Sequence, residues 1–207
     1  SRQGMSLTGG QNISFYDCIF DNTALPEFTV RSMPMSCVDI DAEINPIRNI
    51  AFYNSYFGRA GSQSMVADTG DEKNVKFYNC KFINDIGGTV WANQPEFKFY
   101  DCYINGFIEK NYATEIDSER TVYQDCTFTD DPAINPNFSG REYLFIASGA
   151  NPKLINCTMN LHKSGMIHSY GTSAKYPILF DNLIINAYYA WGVAISGVGP
   201  IGWRAYR

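Results

Sequence analysis

The chain has 207 residues, a formal net charge of -5, 45% hydrophobic and 18% charged residues. With an isoelectric point near 5.0 and no Lys/Arg cluster, it offers no electrostatic footprint for a phosphate backbone, and nucleic acid is not an expected partner. No run approaches the roughly eighteen apolar residues of a membrane-spanning helix and no signal-like segment opens the sequence, so membrane insertion is not expected either.

Fourteen Tyr and fourteen Phe favour extended strands, and no linker-like stretch divides the chain, which reads as one domain over 1–207. A nine-residue pattern then dominates the order of the residues. Asn12-Ile-Ser-Phe-Tyr-Asp-Cys-Ile-Phe20 returns as Asn49-Ile-Ala-Phe-Tyr-Asn-Ser-Tyr-Phe57, Asn74-Val-Lys-Phe-Tyr-Asn-Cys-Lys-Phe82 and Glu96-Phe-Lys-Phe-Tyr-Asp-Cys-Tyr-Ile104. Weaker copies are Arg120-Thr-Val-Tyr-Gln-Asp-Cys-Thr-Phe128, Asn151-Pro-Lys-Leu-Ile-Asn-Cys-Thr-Met159 and Tyr176-Pro-Ile-Leu-Phe-Asp-Asn-Leu-Ile184. The seventh positions fall at 18, 55, 80, 102, 126, 157 and 182, steps of 22 to 37 residues.

Positions two, four, seven and nine are mostly apolar or Cys, and position six is Asp or Asn. Two short strands with alternate side chains inward, separated by a residue that tolerates a left-handed bend, fit this pattern. Stacking the copies predicts an all-β fold, a right-handed parallel β-helix of about seven coils with Phe/Ile, Cys and Asn/Asp columns. Leucine-rich repeats lack a match to this spacing, and propeller blades need about forty residues.

Cys18, Cys80, Cys102, Cys126 and Cys157 share the seventh position, where Ser55 and Asn182 also occur; free thiols packed inside the core are expected, with a disulfide between coils about 4.8 Å apart the alternative. The glycosylation sequons at Asn12, Asn137 and Asn156 read as coincidence.

Function is expected in the segments between copies. If Val38, Ile40, Val90, Leu144, Ile146, Ile167, Val193 and Ile195 point inward, one outer face displays Asp39, Asp41 and Glu43, then Asp68, then Trp91 and Asn93. Glu115 and Asp117, Tyr143 and Phe145, and His168 and Tyr170 follow on later coils. Acids among aromatics suit a linear polysaccharide, since rings stack on sugars and carboxylates bind hydroxyls or move protons. Solvated acids protecting a strand edge are the plainer alternative. Carboxylates two residues apart on a strand lie about 6.6 Å apart at the backbone, room for the water of an inverting glycosidase, whereas Asp68 on a neighbouring coil at about 4.8 Å would be nearer retaining geometry. Asp39, Asp41, Glu43 and Asp68 are therefore the catalytic candidates, and Trp91, Asn93, Glu115, Asp117, Tyr143, Phe145, His168 and Tyr170 the substrate-binding ones. No cofactor is required, although Asp39, Asp41 and Glu43 could also hold Ca²⁺. His162 ranks below His168 because it lies off this face.

The repeat, together with Cys37-Val-Asp-Ile-Asp-Ala-Glu43 before it, resembles the pectate-lyase-like superfamily, most closely its phage tailspikes and capsule depolymerases. The resemblance runs from Asn12 to about Ile195 and implies a homotrimer in a virion tail or other extracellular setting that binds a bacterial surface polysaccharide. It implies a glycoside hydrolase ahead of a lyase, because the tryptophan-aspartate-histidine segment of true pectate lyases is absent. A non-enzymatic shaft or adhesin is the alternative. Seven coils would span only about 34 Å, so the sequence is expected to be a piece of a longer chain.

Overall fold

The computed structural model describes residues 3–29, 31–110, 114–134, 143–170, 175–188, 195–197 and 201–204, with only the backbone of Tyr170 and of the last two stretches. Among the described residues nearly all regular structure is β and every strand pairing is parallel; a short 3-10 turn, Asp117–Glu119, is the exception. No helix there is long and apolar enough to cross a membrane. Val193, the Asn137 sequon and the Tyr170 side chain lie outside the described residues.

The strands form two sheets. The first runs Gly10–Tyr16, Ile47–Tyr53, Glu72–Tyr78, Phe97–Tyr100, Val122–Gln124, Lys153–Ile155, Ile178–Asp181 and Ile201–Arg204. The second has two limbs, joined because Lys81–Ala92 and Tyr103–Lys110 are long enough to run through both. Its near limb contains Ile19–Phe20, Tyr56–Phe57, the first halves of those long strands, Thr127–Thr129, Thr158–Leu161 and Ile184–Ala187. Its far limb contains Met5–Leu7, Val38–Ile40, Met65–Ala67, the second halves, Tyr143–Ser148, Gly165–Tyr170 and Ile195–Gly197. Each strand lies beside its equivalent in the next repeat, giving stacked parallel sheets compatible with a solenoid such as a parallel β-helix.

The bends explain why the pattern repeats. Asp17, Asn54, Asn79, Asp101, Asp125, Asn156 and Asn182 all have φ between 50° and 56°, a region that Asp and Asn tolerate better than other side-chain-bearing residues. Asn54 donates to Asp17, Asn79 to Asn54 and Asn182 to Asn156, which ties successive bends together. A second left-handed column precedes it at Asn12, Asn49, Asn74 and Glu96, with amide bonds from Asn49 to Asn12 and from Asn74 to Asn49. The last copy is shifted by one residue from the sequence expectation: the bend residue is Asn182, in register after Ile155↔Asp181, and Leu183 rather than Asn182 takes the Cys position. Adjacent Asp181 and Asn182 are equally good bend formers, so only the inward phase of Ile178 and Phe180 separates them.

Inside, Phe15, Phe52, Phe77, Phe99 and Tyr123 stack at centroid distances of 4.6 to 5.1 Å, crossed edge-on by Phe57, Phe82 and Phe128. The cysteine column is free of disulfides. Each thiol turns back to the carbonyl two residues earlier, at 3.3 Å for Cys102 and Tyr100 and 3.4 Å for Cys80 and Tyr78, and Ser55 reaches Tyr53 in the same way at 2.9 Å. A small side chain with a weak donor is what the corner requires, so Ser and Cys exchange there. Burial raises the Cys102 and Cys126 thiols, and it raises Cys37 to about 11. A thiol reagent such as DTNB is therefore expected to label only half-buried Cys18 in the native protein and all six cysteines after denaturation. Fast native labelling of several thiols would contradict the packed column.

Candidate functional site

The far limb carries the candidate residues because its strand phase alternates between core and surface. Val38, Met65, Val90, Ile108, Phe145 and Ile167 follow one another in register and are buried. The next column reads Asp39, Val66, Trp91, Glu109, Ile146 and His168. Beyond the strand ends come Asp41, Asp68 and Asn93.

Three of the four acids meet at one place. Asp39, Asp41 and Asp68 line a cleft of about 300 Å³ together with Trp91, Val66, Thr69, Gln63, Met33 and Pro34. Met33 and Pro34 reach this end of the limb from the stretch that precedes Val38–Ile40, and Asp39 is only 9% exposed. Gln3 donates to Asp39 at 3.2 Å, and Asn93 donates to Asp68 at 2.8 Å. The indole N–H of Trp91 is buried without a partner. Desolvation holds the Asp41 carboxyl above its ordinary range, reinforced by Glu43 and Asp68 and opposed by the Thr69 hydroxyl.

Glu43 does not continue the strand with the other two. The strand ends at Ile40, and the Glu43 N–H turns back to the Asp41 carbonyl at 2.9 Å, which leaves the Glu43 side chain exposed and outside the cleft lining. Among the described residues no group of three or more His, Cys, Asp and Glu side chains gathers closely enough to hold a metal ion.

The later coils differ more from expectation. Phe145 does not face outward: it is wholly buried and packs edge-on against Tyr123 and Phe128, while Ile146 takes the outward position. Leu144 and Phe145 are buried together, so simple alternation from Leu144 chose the wrong phase. Glu115 and Asp117 also lie off the limb, in the turn before Val122–Gln124. There Asp117 bonds to Lys153 at 2.7 Å and Arg120 at 2.9 Å, which hold its carboxyl below the ordinary range, and Glu115 sits 4.0 Å from Lys175. Strand Tyr103–Lys110 supplies the far limb in that repeat, so Glu109, in register with Trp91, occupies the position assigned to them. Tyr143 and His168 stack at 5.1 Å farther along the limb, whereas His162 stacks on Tyr188 elsewhere.

The chain matches no family model, no curated protein and no solved structure. Geometry and chemistry therefore carry the functional reading.

One acid absent from the sequence reading stands directly behind the cleft. Glu72 is 1% exposed; one carboxyl oxygen accepts the Ala42 N–H at 2.5 Å and the other has no partner. Burial pushes it up to about 7, with Asp41 and Asp71 adding to the rise and the Ala42 N–H opposing it. It is aligned with buried Ile47 in the preceding repeat, and so takes an inward position. The folded chain binds this proton more tightly than the unfolded one. Stability contributed at low pH is thus lost as pH rises from about 4.5 through about 7, by up to about 3 kcal/mol. Thermal melts across that range should fall for the native protein relative to Glu72→Gln, and parallel curves would contradict it.

Proposed function

We propose that the chain is a right-handed parallel β-helix of about seven coils, of the tailspike or capsule-depolymerase kind, that binds a bacterial surface polysaccharide along the far limb and hydrolyses it. The observation that carries this reading is the cleft in which Asp39, Asp41 and Asp68 meet Trp91. Hydrolysis needs one carboxyl that keeps its proton and one that does not, and the raised Asp41 beside two other acids fits that division. Asp41 gives its proton to the glycosidic oxygen as the bond to the anomeric carbon breaks. Asp39, two residues earlier in the chain and lining the same cleft, takes a proton from the water whose oxygen bonds to that carbon, with inversion. Trp91 offers an aromatic face for a sugar ring, and Tyr143 and His168 extend the track.

Mixing the protein with a panel of capsular polysaccharides and O-antigens tests this: new reducing ends of inverted anomeric configuration, and no unsaturated sugars, are expected. A retained configuration would move the second role to Asp68, the acid on the adjacent coil. Binding without cleavage would favour an adhesin or spacer, and neither binding nor cleavage would end the polysaccharide reading.

A further inference from the structure

Glu72 belongs to a different sheet from the far limb, yet it touches the chain immediately after Asp41. It begins the strand Glu72–Tyr78, in register with buried Ile47, and its side chain meets Ala42, two residues past the end of the far-limb strand Val38–Ile40. The backbone around Asp41 is held at three points: the Asp41 N–H donates to the Leu7 carbonyl at 3.0 Å, the Asp41 carbonyl accepts the Glu43 N–H at 2.9 Å, and the Ala42 N–H donates to Glu72. The first two are main-chain bonds that any sequence could make. The third depends on one side chain.

The surroundings are shaped for that contact. Gly70 has φ of +132°, and a Cβ there would lie 2.3 Å from the bonded Glu72 oxygen and 2.9 Å from the Ala42 nitrogen. The charged groups near Glu72 are Asp41 from the far limb, Asp71 on its own segment, and Arg48 on the preceding strand, which pairs with Asp71 at 2.6 Å; in the next repeat Lys110 is bonded to the Gln94 carbonyl at 2.9 Å. Among the described residues no ion pair reaches the buried Glu72 carboxyl. Burying such a group with one oxygen unpartnered costs stability, so its role is not to strengthen the fold.

We propose that Glu72 is a positioning residue: by accepting the Ala42 N–H in the tight space beside Gly70, it fixes the peptide that aims Asp41 into the cleft. This rests on the hydrolase reading above and assigns to it a residue that lies outside the cleft lining.

Glu72→Gln retains an acceptor for the Ala42 N–H, and Glu72→Leu removes it while filling the space with an apolar side chain. The expected result is near-native kcat for Glu72→Gln and a kcat lowered about 100-fold for Glu72→Leu, with KM little changed and melting temperature at neutral pH equal or higher. Gly70→Ala, which crowds the same bond from the other side, should lower kcat in the same way. Exchange of the Ala42 amide hydrogen, followed by NMR, gives a readout independent of turnover: protection retained in Glu72→Gln and lost by at least about tenfold in Glu72→Leu. Full activity in folded Glu72→Leu, or an unchanged Ala42 amide, overturns the positioning role. A native protein that cleaves no polysaccharide overturns the hydrolase reading alone, since the amide measurement still decides whether Glu72 holds this peptide.

Discussion

Asp41→Asn is expected to lower kcat/KM for polysaccharide cleavage by about 100- to 10,000-fold, the range lost when a positioned proton donor is removed. Asparagine matches aspartate in size, so the cleft and its sugar contacts remain and the loss should appear in kcat rather than KM. Asp41 is singled out from its neighbours by environment. Desolvation favours its neutral form, and the nearby acids Glu43 and Asp68 oppose its ionisation. Asp68 is exposed and held by the Asn93 amide, a setting suited to binding a hydroxyl. Reducing-end release measured for Asp41→Asn, Asp39→Asn and Asp68→Asn on one substrate should give large losses for the first two and a smaller one for the third. Full activity in Asp41→Asn would remove the acid from the scheme.

Phe77→Ala is expected to cost about 3–5 kcal/mol, measured as a lowered midpoint in urea unfolding. Phe77 has no exposed surface. It lies between Phe52 at 5.1 Å and Phe99 at 4.7 Å, with Phe57 and Phe82 crossing it edge-on. Removing it leaves a void bounded by rings from three repeats, and stacked rings cannot collapse into the gap without breaking the register of the strands that carry them. Because each repeat touches only its neighbours, the loss should divide the stack and broaden the transition as well as shift it. Tyr78→Ala is the control. Tyr78 belongs to the outer stack of Tyr16, Tyr53, Tyr78 and Tyr100, spaced 4.8 to 5.0 Å, where water replaces most of what is lost.

These features differ in how far local sequence reveals them. The Phe of position four, the Cys of position seven and the Asp/Asn of position six are each dictated by neighbours in the same nine residues, and parallel stacking repeats the demand in every copy. The bend at Asn182 could be missed by one residue because Asp181 beside it suits the same conformation. The far limb is harder to read, since its strands are short and unequal. Two consecutive buried residues, Leu144 and Phe145, hide the phase, and the continuation of Tyr103–Lys110 into the limb put Glu109 where Glu115 and Asp117 were expected. The cleft at Asp39, Asp41, Asp68 and Trp91 was visible as a set of acids near a ring on successive segments. Glu72 was not, because its meaning comes from Ala42, thirty positions away in the chain.

The bends and the intervening segments also divide the labour of change. Register resides in the left-handed Asn and Asp columns and the stacked rings, while spacing between copies already varies from 22 to 37 residues. Doubling the length of a flexible loop costs only about 0.6 kcal/mol of closure entropy. Met33 and its exposed neighbours, which lie between buried Leu25 and buried Ser36 and reach the cleft, can therefore be exchanged for a longer or chemically different stretch at a modest cost in closure entropy. Substrate preference in such a molecule would be a graftable property, transferable between scaffolds as a single stretch of chain.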